Sequence, residues 1–199
     1  MTPQLCLLLY FAVYFTAAFA WRSWAIWRAT GINPVVLPKS DDAYGYVARG
    51  FKLAMIALLV YLALINLSPQ VVMSHAGRLP FLEAGWIRNA GWVLLVGALL
   101  TTVKAQADMG QSWRIGIDRK RRTELVTTGL FARSRNPIFL SMRLAMLGLL
   151  LVEPNAVSLS LLMSAELLMQ VQVRPKEEYL QRLHETIYTE YRQRVRRWL

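Results

Sequence analysis

The side chains of this sequence that could do chemistry are arginines and carboxylates at the ends of apolar stretches. From Gly129 to Glu178 the chain reads G-L-F-A-R-S-R-N-P, then two apolar spans with almost no connecting loop, then R-P-K-E-E. Arg135 and Asn136 stand before Pro137, and proline suits the first position of a helix because its φ is preset and it has no N–H to waste. The free N–H groups behind it, with the helix dipole, favour an anion. A capped helix with a basic flank is the plainer reading of the same residues. After the second span come Arg174, Glu177 and Glu178. Carboxylates in a first turn suit the dipole, and they also suit a cation such as an α-amino group or a sulfonium. If the spans fold back as a hairpin, both clusters reach one membrane face and together can hold a charged cofactor beside the lipid.

Two charges fall inside the spans. Arg143 lies under two turns past Pro137, and Glu166 lies near the middle of the second span. A charge at that depth is costly and usually faces a cavity or a partner. Arg143 could instead snorkel to the interface. Glu166 could pair with Arg143 or be protonated and structural, and the sequence leaves both readings open. Other chemistries lack their residues. His75, His184 and Cys6 are the only histidines and cysteine, so there is no metal-ligand spacing and no internal disulfide. No dinucleotide fingerprint or P-loop is present. The aromatics cluster at span ends, as interface anchors do, which argues against a platform for nucleic acid.

The elements that must position these residues follow from composition. The 199 residues suffice for a single domain. They are 55% hydrophobic with a mean hydropathy of +0.33, gathered in blocks, which points to a polytopic membrane protein. Spans are expected at about Gln4–Ala20 (continuing toward Trp27 through a Trp and Arg belt), Phe51–Leu67, Trp86–Val103, Pro137–Val152 and Ala156–Val173. The last two are short of the ~20 residues a bilayer core needs, which predicts local thinning. The first span lacks the basic start and cleavage site of a signal peptide and is read as a mature helix. The loop from Ala29 to Gly50, with Pro38 and Asp41-Asp42, reads as an irregular connector. The loop from Lys104 to Asn136 is long enough to expect function of it. From Lys176 to Trp198 a helical period places Leu180, Leu183, Ile187, Tyr191, Val195 and Trp198 on one face, which should lie against the bundle or the headgroups. Of the 23 Lys and Arg residues, twenty fall on one side of these spans, two on the other, and Arg143 within. The net charge of +11 therefore reads as loops facing anionic lipid, with the N-terminus outside and the C-terminus cytoplasmic. The expected class is all-α: about five transmembrane helices with a C-terminal amphipathic cytoplasmic helix.

The run E-L-V-T-T-G-L-F-A-R-S-R-N-P-I-F, the apolar hairpin, R-P-K-E-E-Y-L and Y-T-E-Y-R-Q-R-V-R-R-W together resemble the isoprenylcysteine carboxyl methyltransferases and the related phospholipid methyltransferases. The usual pattern there is G-x-Y-x-x-x-R-H-P-x-Y, a span pair, R-x-x-E-E-x-x-L and a paired-tyrosine tail. The likeness covers about Met109 to Trp198. It implies a membrane enzyme using S-adenosylmethionine, with a cofactor-binding half at about 104–199. Arg135, Asn136 and Pro137 would line the pocket, and Arg174, Glu177 and Glu178 would close it with Tyr188 and Tyr191. Glu178 would bind the amino end of the cofactor. Three positions depart from the pattern: Asn136 stands for histidine, Phe139 for tyrosine, and His184-Glu185 for a common Phe-Gly pair.

The implied acceptor is lipid-like or small and hydrophobic, with an isoprenylcysteine-type carboxylate favoured. Arg143 or Arg174 would orient such an acid. A phospholipid or other amine would need a proton sink, for which Glu166 is the carboxylate well inside a span. Because prenylated proteins are mainly eukaryotic, another lipid-borne or small hydrophobic acceptor is also open to a small chain of this kind, and the expected location is a bacterial or archaeal cytoplasmic membrane. Two other classes remain: a reductase of the sterol type using a nicotinamide cofactor, though such chains are much longer, and a non-enzymatic membrane adaptor. Membrane lipids are the expected surroundings.

Overall fold

The protein is seen in a computed structural model that describes residues 1–36, 43–116 and 123–199. The expectations for Pro38, Lys39, Asp41, Asp42, Ile117, Arg119, Lys120, Arg121 and Arg122 lie outside the described residues. Thr2 starts the first helix by accepting from the Leu5 amide at 3.3 Å. That helix runs without interruption from Pro3 to Thr30. It comprises α1 (Pro3–Phe15), a π segment (Thr16–Trp21) and α2 (Arg22–Thr30), and ends at Gly31. The span thus continues past Ala20 and through the tryptophan belt. Trp21, Trp24 and Trp27 are exposed, as interfacial anchors should be.

The remaining helices are α3 (Ala43–Leu67), α4 (Pro69–His75), α5 (Gly85–Met109), α6 (Pro137–Val152) and α7 (Ala156–Arg194). Among the described residues, four helical stretches are long and apolar enough to cross a membrane: Pro3–Thr30, Tyr44–Leu67, Gly85–Ser112 and Ala156–Arg194. Helix α6 has 16 residues, about 24 Å at 1.5 Å per residue, and is short of a core of ~30 Å. Leu59, Val60, Val93, Leu100 and Leu167 are exposed on the helix flanks, as lipid-facing residues would be. The chain is an all-α integral membrane protein. Among the described residues the sheet content is a single parallel pair, β1 (Val35–Val36) with β2 (Ile115–Gly116), which joins the two long loops.

Leu7 and Phe11 of α1, Leu58 and Leu62 of α3, Leu95 and Ala98 of α5, and Leu149 of α6 form the core. Helices α5 and α6 meet backbone to backbone. A Cβ on Gly148 would sit 2.8 Å from Leu95 Cγ and 2.9 Å from the Gly91 carbonyl, so only glycine allows this approach. Three polar contacts tie α1, α5 and α6 inside the bundle: Tyr14 with Thr102 at 2.8 Å, Thr102 with Ser141 at 2.6 Å, and Gln106 Nε2 donating to the Ala18 carbonyl, in the π segment after α1, at 2.8 Å.

The hairpin turn is fixed by Asn155. Its Oδ1 accepts from the Val157 and Ser158 amides, both at 3.0 Å, while Ser158 Oγ accepts from the Asn155 amide at 3.2 Å. Gln4 Nε2 donates to Glu153 at 3.0 Å, so the N-terminus and this turn share one end of the bundle. At the other end, Arg22 Nη2 donates to the Gln106 and Gly110 carbonyls at 2.7 and 2.6 Å. Both long basic loops and the start of α6 gather there.

One expectation needs correction. The fifth span and the tail helix are continuous: α7 stays helical from Ala156 through Arg174 as far as Glu185, longer than a bilayer core requires, and a second helical piece follows to Arg194. Helix α7 carries Pro175 within and breaks at Glu185, whose φ is 40° and ψ −109°. Just past the break Tyr188 takes the inward place expected of Ile187, while Tyr191 and Val195 face inward as expected. Tyr188, Tyr191 and Val195 are buried against Leu125 and Leu180, while Ile187, expected inside, is 62% exposed.

Candidate active site

The site forms where α6 begins, where α7 leaves the apolar layer, and where the last residues fold back between them. The approach to α6 is set by Gly129, at φ 63°, where a Cβ would lie 2.3 Å from Asp108 Oδ2. That carboxylate accepts from the Leu130 amide at 2.9 Å, fastening the turn Gly129–Ala132 to the end of α5. Ser134 Oγ then accepts from the Asn136 amide at 3.2 Å, and Pro137 opens α6. Asn136 does not cap the helix with its side chain. Its Nδ2 instead donates to Glu177 Oε1 at 3.3 Å and to the Arg197 carbonyl at 3.4 Å. These contacts place the polar clusters at the two ends of the hairpin against each other.

Glu177 is buried and is the centre of the cluster. Arg197 grips it with a fork, Nη2 to Oε2 at 2.9 Å and Nε to Oε1 at 3.2 Å. The hydrogen bond to Glu177 raises the Arg197 pKa above its ordinary value and keeps the guanidinium charged. Arg135 is deeper, with 8% of its side chain exposed, and its Nη2 lies 3.6 Å from Glu177 Oε1. Its Nε and Nη1 are buried and have no hydrogen-bond partner among the described residues. Unpaired buried donors are costly, roughly 1–3 kcal/mol each and more when charged, so these two are donors that a ligand acceptor could satisfy.

Arg135 lines a cavity of about 80 Å³ together with Phe131, Lys176, Tyr179, Tyr188 and Tyr191. Tyr191 is held by its hydroxyl donating to the Phe131 carbonyl at 2.7 Å, with the Tyr188 ring edge-on at 6.0 Å. Glu178 and Arg174 are exposed, are not among the cavity's lining residues, and have no ion pair among the described residues. Arg143 and Glu166 meet across the hairpin in a two-point ion pair, and Gln170 Nε2 adds a hydrogen bond to Glu166 Oε1 at 2.8 Å. The Arg143 guanidinium also lies 3.9 Å from the centre of the Trp198 ring.

Of the residues expected together, the structure gathers Arg135, Asn136, Glu177, Tyr188 and Tyr191 and leaves Arg174 and Glu178 outside the cavity; it also pairs Arg143 with Glu166, one of the readings the sequence left open. Sequence reasoning missed Arg197 and Trp198 as site residues, because arginines in a basic tail read as topology signals. It also missed Lys176, which lines the cavity, and Asp108, which fastens the loop before the site.

The family model described as phospholipid methyltransferase matches residues 86–187, just over half of the chain, from the start of α5 to just past the break in α7. No curated protein matches the chain. The matched segment carries Arg135, Asn136, Glu177 and the hairpin that joins them, and the surrounding helices are those of a membrane protein. This chain belongs to the phospholipid methyltransferase family of integral membrane methyltransferases.

Proposed function

We propose that the chain transfers a methyl group from S-adenosylmethionine to a lipid-borne acceptor at the basic end of the bundle, and that this end faces the cytoplasm. The observation that carries the donor assignment is the pair of unpartnered buried donors on Arg135. They suit an anionic group such as an α-carboxylate, whose oxygens accept charge-assisted hydrogen bonds from a guanidinium. The Tyr188 and Tyr191 rings, edge to face in the same cavity, offer aromatic walls for an adenine-type base. Glu178, next to the engaged Glu177 and itself without an ion pair among the described residues, remains for the α-ammonium. A cavity of about 80 Å³ is smaller than the roughly 300–1,000 Å³ of ligand pockets, so seating the donor requires the cavity to widen.

The bound donor supplies an electrophilic methyl on a sulfonium, and in-line attack by an acceptor oxygen forms the new C–O bond as the C–S bond breaks. No proton has to move if the acceptor is already a carboxylate, so the protein's part is alignment and exclusion of water. Arg143 is the acceptor-side cation in this reading, held in place by Glu166 and covered by Trp198. An isoprenylcysteine-type carboxylate suits it. The family name points to a second reading, a phospholipid amine. Against it, Glu166 is engaged by both Arg143 and Gln170 and is poorly placed to take a proton. Labelled-methyl transfer onto extracted lipids and small prenylated thiols tests the proposal. Label in a lipid-soluble ester supports it, label in an amine headgroup selects the second reading, and no transfer to either overturns both.

A further inference from the structure

We propose that Arg197, in the strap that follows α7, is a positioning residue for the donor site: it holds the Glu177 carboxylate away from Arg135, so that Arg135 keeps donors free for a ligand carboxylate. The inference rests on the donor reading given above. Two guanidiniums compete here for one carboxylate. Arg197 takes it with a fork at 2.9 and 3.2 Å, whereas Arg135 is left with one approach of 3.6 Å. The three groups together carry one net positive charge in a largely buried place, and the unmatched donors are those of Arg135. Without Arg197, Glu177 would be left with Arg135 as its nearest cation. A rotation of the glutamate that closed the pair end-on, through Nη2 and Nη1, would fill one of the two free donors and neutralise the charge that the ligand needs.

The strap is fastened independently of the Arg197 side chain. The Arg196 carbonyl accepts from the Arg135 amide at 3.0 Å, and the Arg197 carbonyl accepts from Asn136 Nδ2 and Ser134 Oγ, both at 3.4 Å. Trp198 adds its ring over Arg143. Removing the guanidinium therefore leaves four anchors in place. The strap also lies beyond residue 187, outside the segment that matches the family model.

The test is calorimetric binding of S-adenosylmethionine to full-length protein in detergent or nanodiscs. Wild type is expected to bind, and Arg197→Met to bind about tenfold more weakly, with the loss appearing in KM for the donor rather than in kcat. Arg197→Lys should recover most of the affinity. The double variant Glu177→Gln with Arg197→Met should also recover it, because a neutral amide no longer captures Arg135. A merely structural role for Arg197 would make the double variant at least as weak as the single one. That result, or wild-type affinity in Arg197→Met, overturns the proposal. If Arg197→Met does not fold, Glu177→Gln alone decides: it must bind the donor at least as tightly as wild type, and weaker binding overturns the proposal. Absence of binding by wild type would overturn the donor reading itself.

Discussion

Glu185 offers a test in which the sign alone decides. Its φ of 40° and ψ of −109° are reached easily by glycine and poorly by any residue with a Cβ, at a cost of roughly 1–3 kcal/mol. The side chain is exposed, and the hydrogen bonds recorded at this residue are made by its carbonyl, which accepts from Gln181 Nε2 and Thr189 Oγ1 at 3.0 Å. Replacing the side chain thus removes strain and loses little else. Glu185→Gly should stabilise the protein by about 1–3 kcal/mol, and Glu185→Ala should not. At about 2–4 °C per kcal/mol for a chain of this size, the expected rise in Tm is roughly 2–12 °C, read by tryptophan fluorescence during heating in detergent. An unbroken helix would give the opposite order, since glycine costs about 1 kcal/mol relative to alanine there. Finding Glu185→Ala more stable than Glu185→Gly would refute the break, and with it the account of how Tyr188 and Tyr191 face the cavity.

Further outcomes follow from the packing. Arg143→Met leaves Glu166 without its partner inside a span and should cost about 3–5 kcal/mol, while Arg143→Met with Glu166→Leu should recover most of that stability. The double variant should still methylate an acidic acceptor on the order of 100-fold more slowly, and a wild-type rate would remove Arg143 from the acceptor path. Gly148→Val puts a branched side chain where a Cβ alone comes within 2.8 Å of Leu95 Cγ, and should lower stability by about 1–3 kcal/mol, measured by thermal unfolding. Glu153 lies at the opposite end, in the hairpin turn, and burial raises its carboxyl pKa above the ordinary range. The folded state therefore holds that proton more firmly than the unfolded chain does. The resulting stabilisation is complete at pH below the ordinary carboxylate value and is lost as pH rises through the raised one. Glu153→Gln should gain Tm relative to wild type across that window and hold the gain at neutral pH. A difference that does not change with pH would count against the burial of this carboxyl.

The spans were legible because apolar blocks bounded by proline, glycine and charge announce themselves. Pro137–Val152 was located to the residue by Pro137 and by the Glu153-Pro154-Asn155 turn. The hairpin was legible for the same reason, and with it the meeting of Asn136 and Glu177. The join of the fifth span to the tail helix was not, because Arg174-Pro175 carries the usual stop signals and only the folded chain shows α7 running through them. The break at Glu185 left one clue, since the related pattern commonly has glycine there, but a glutamate gives no sign of positive φ. Arg197 and Trp198 act through a chain reversal after Val195, where the backbone leaves the helix, and no periodicity encodes such a return.

The central claim is that Arg135 holds the carboxylate of a methyl donor, and comparing two donors tests it most directly. Calorimetry would measure the affinity of wild type and of Arg135→Met for S-adenosylmethionine and for its decarboxylated analogue. A charge-assisted hydrogen bond contributes about 1.5–3 kcal/mol, so wild type should prefer the intact donor by roughly 10- to 100-fold. Arg135→Met should bind the two equally. Equal affinity of wild type for both, or an unchanged preference in Arg135→Met, would contradict the account.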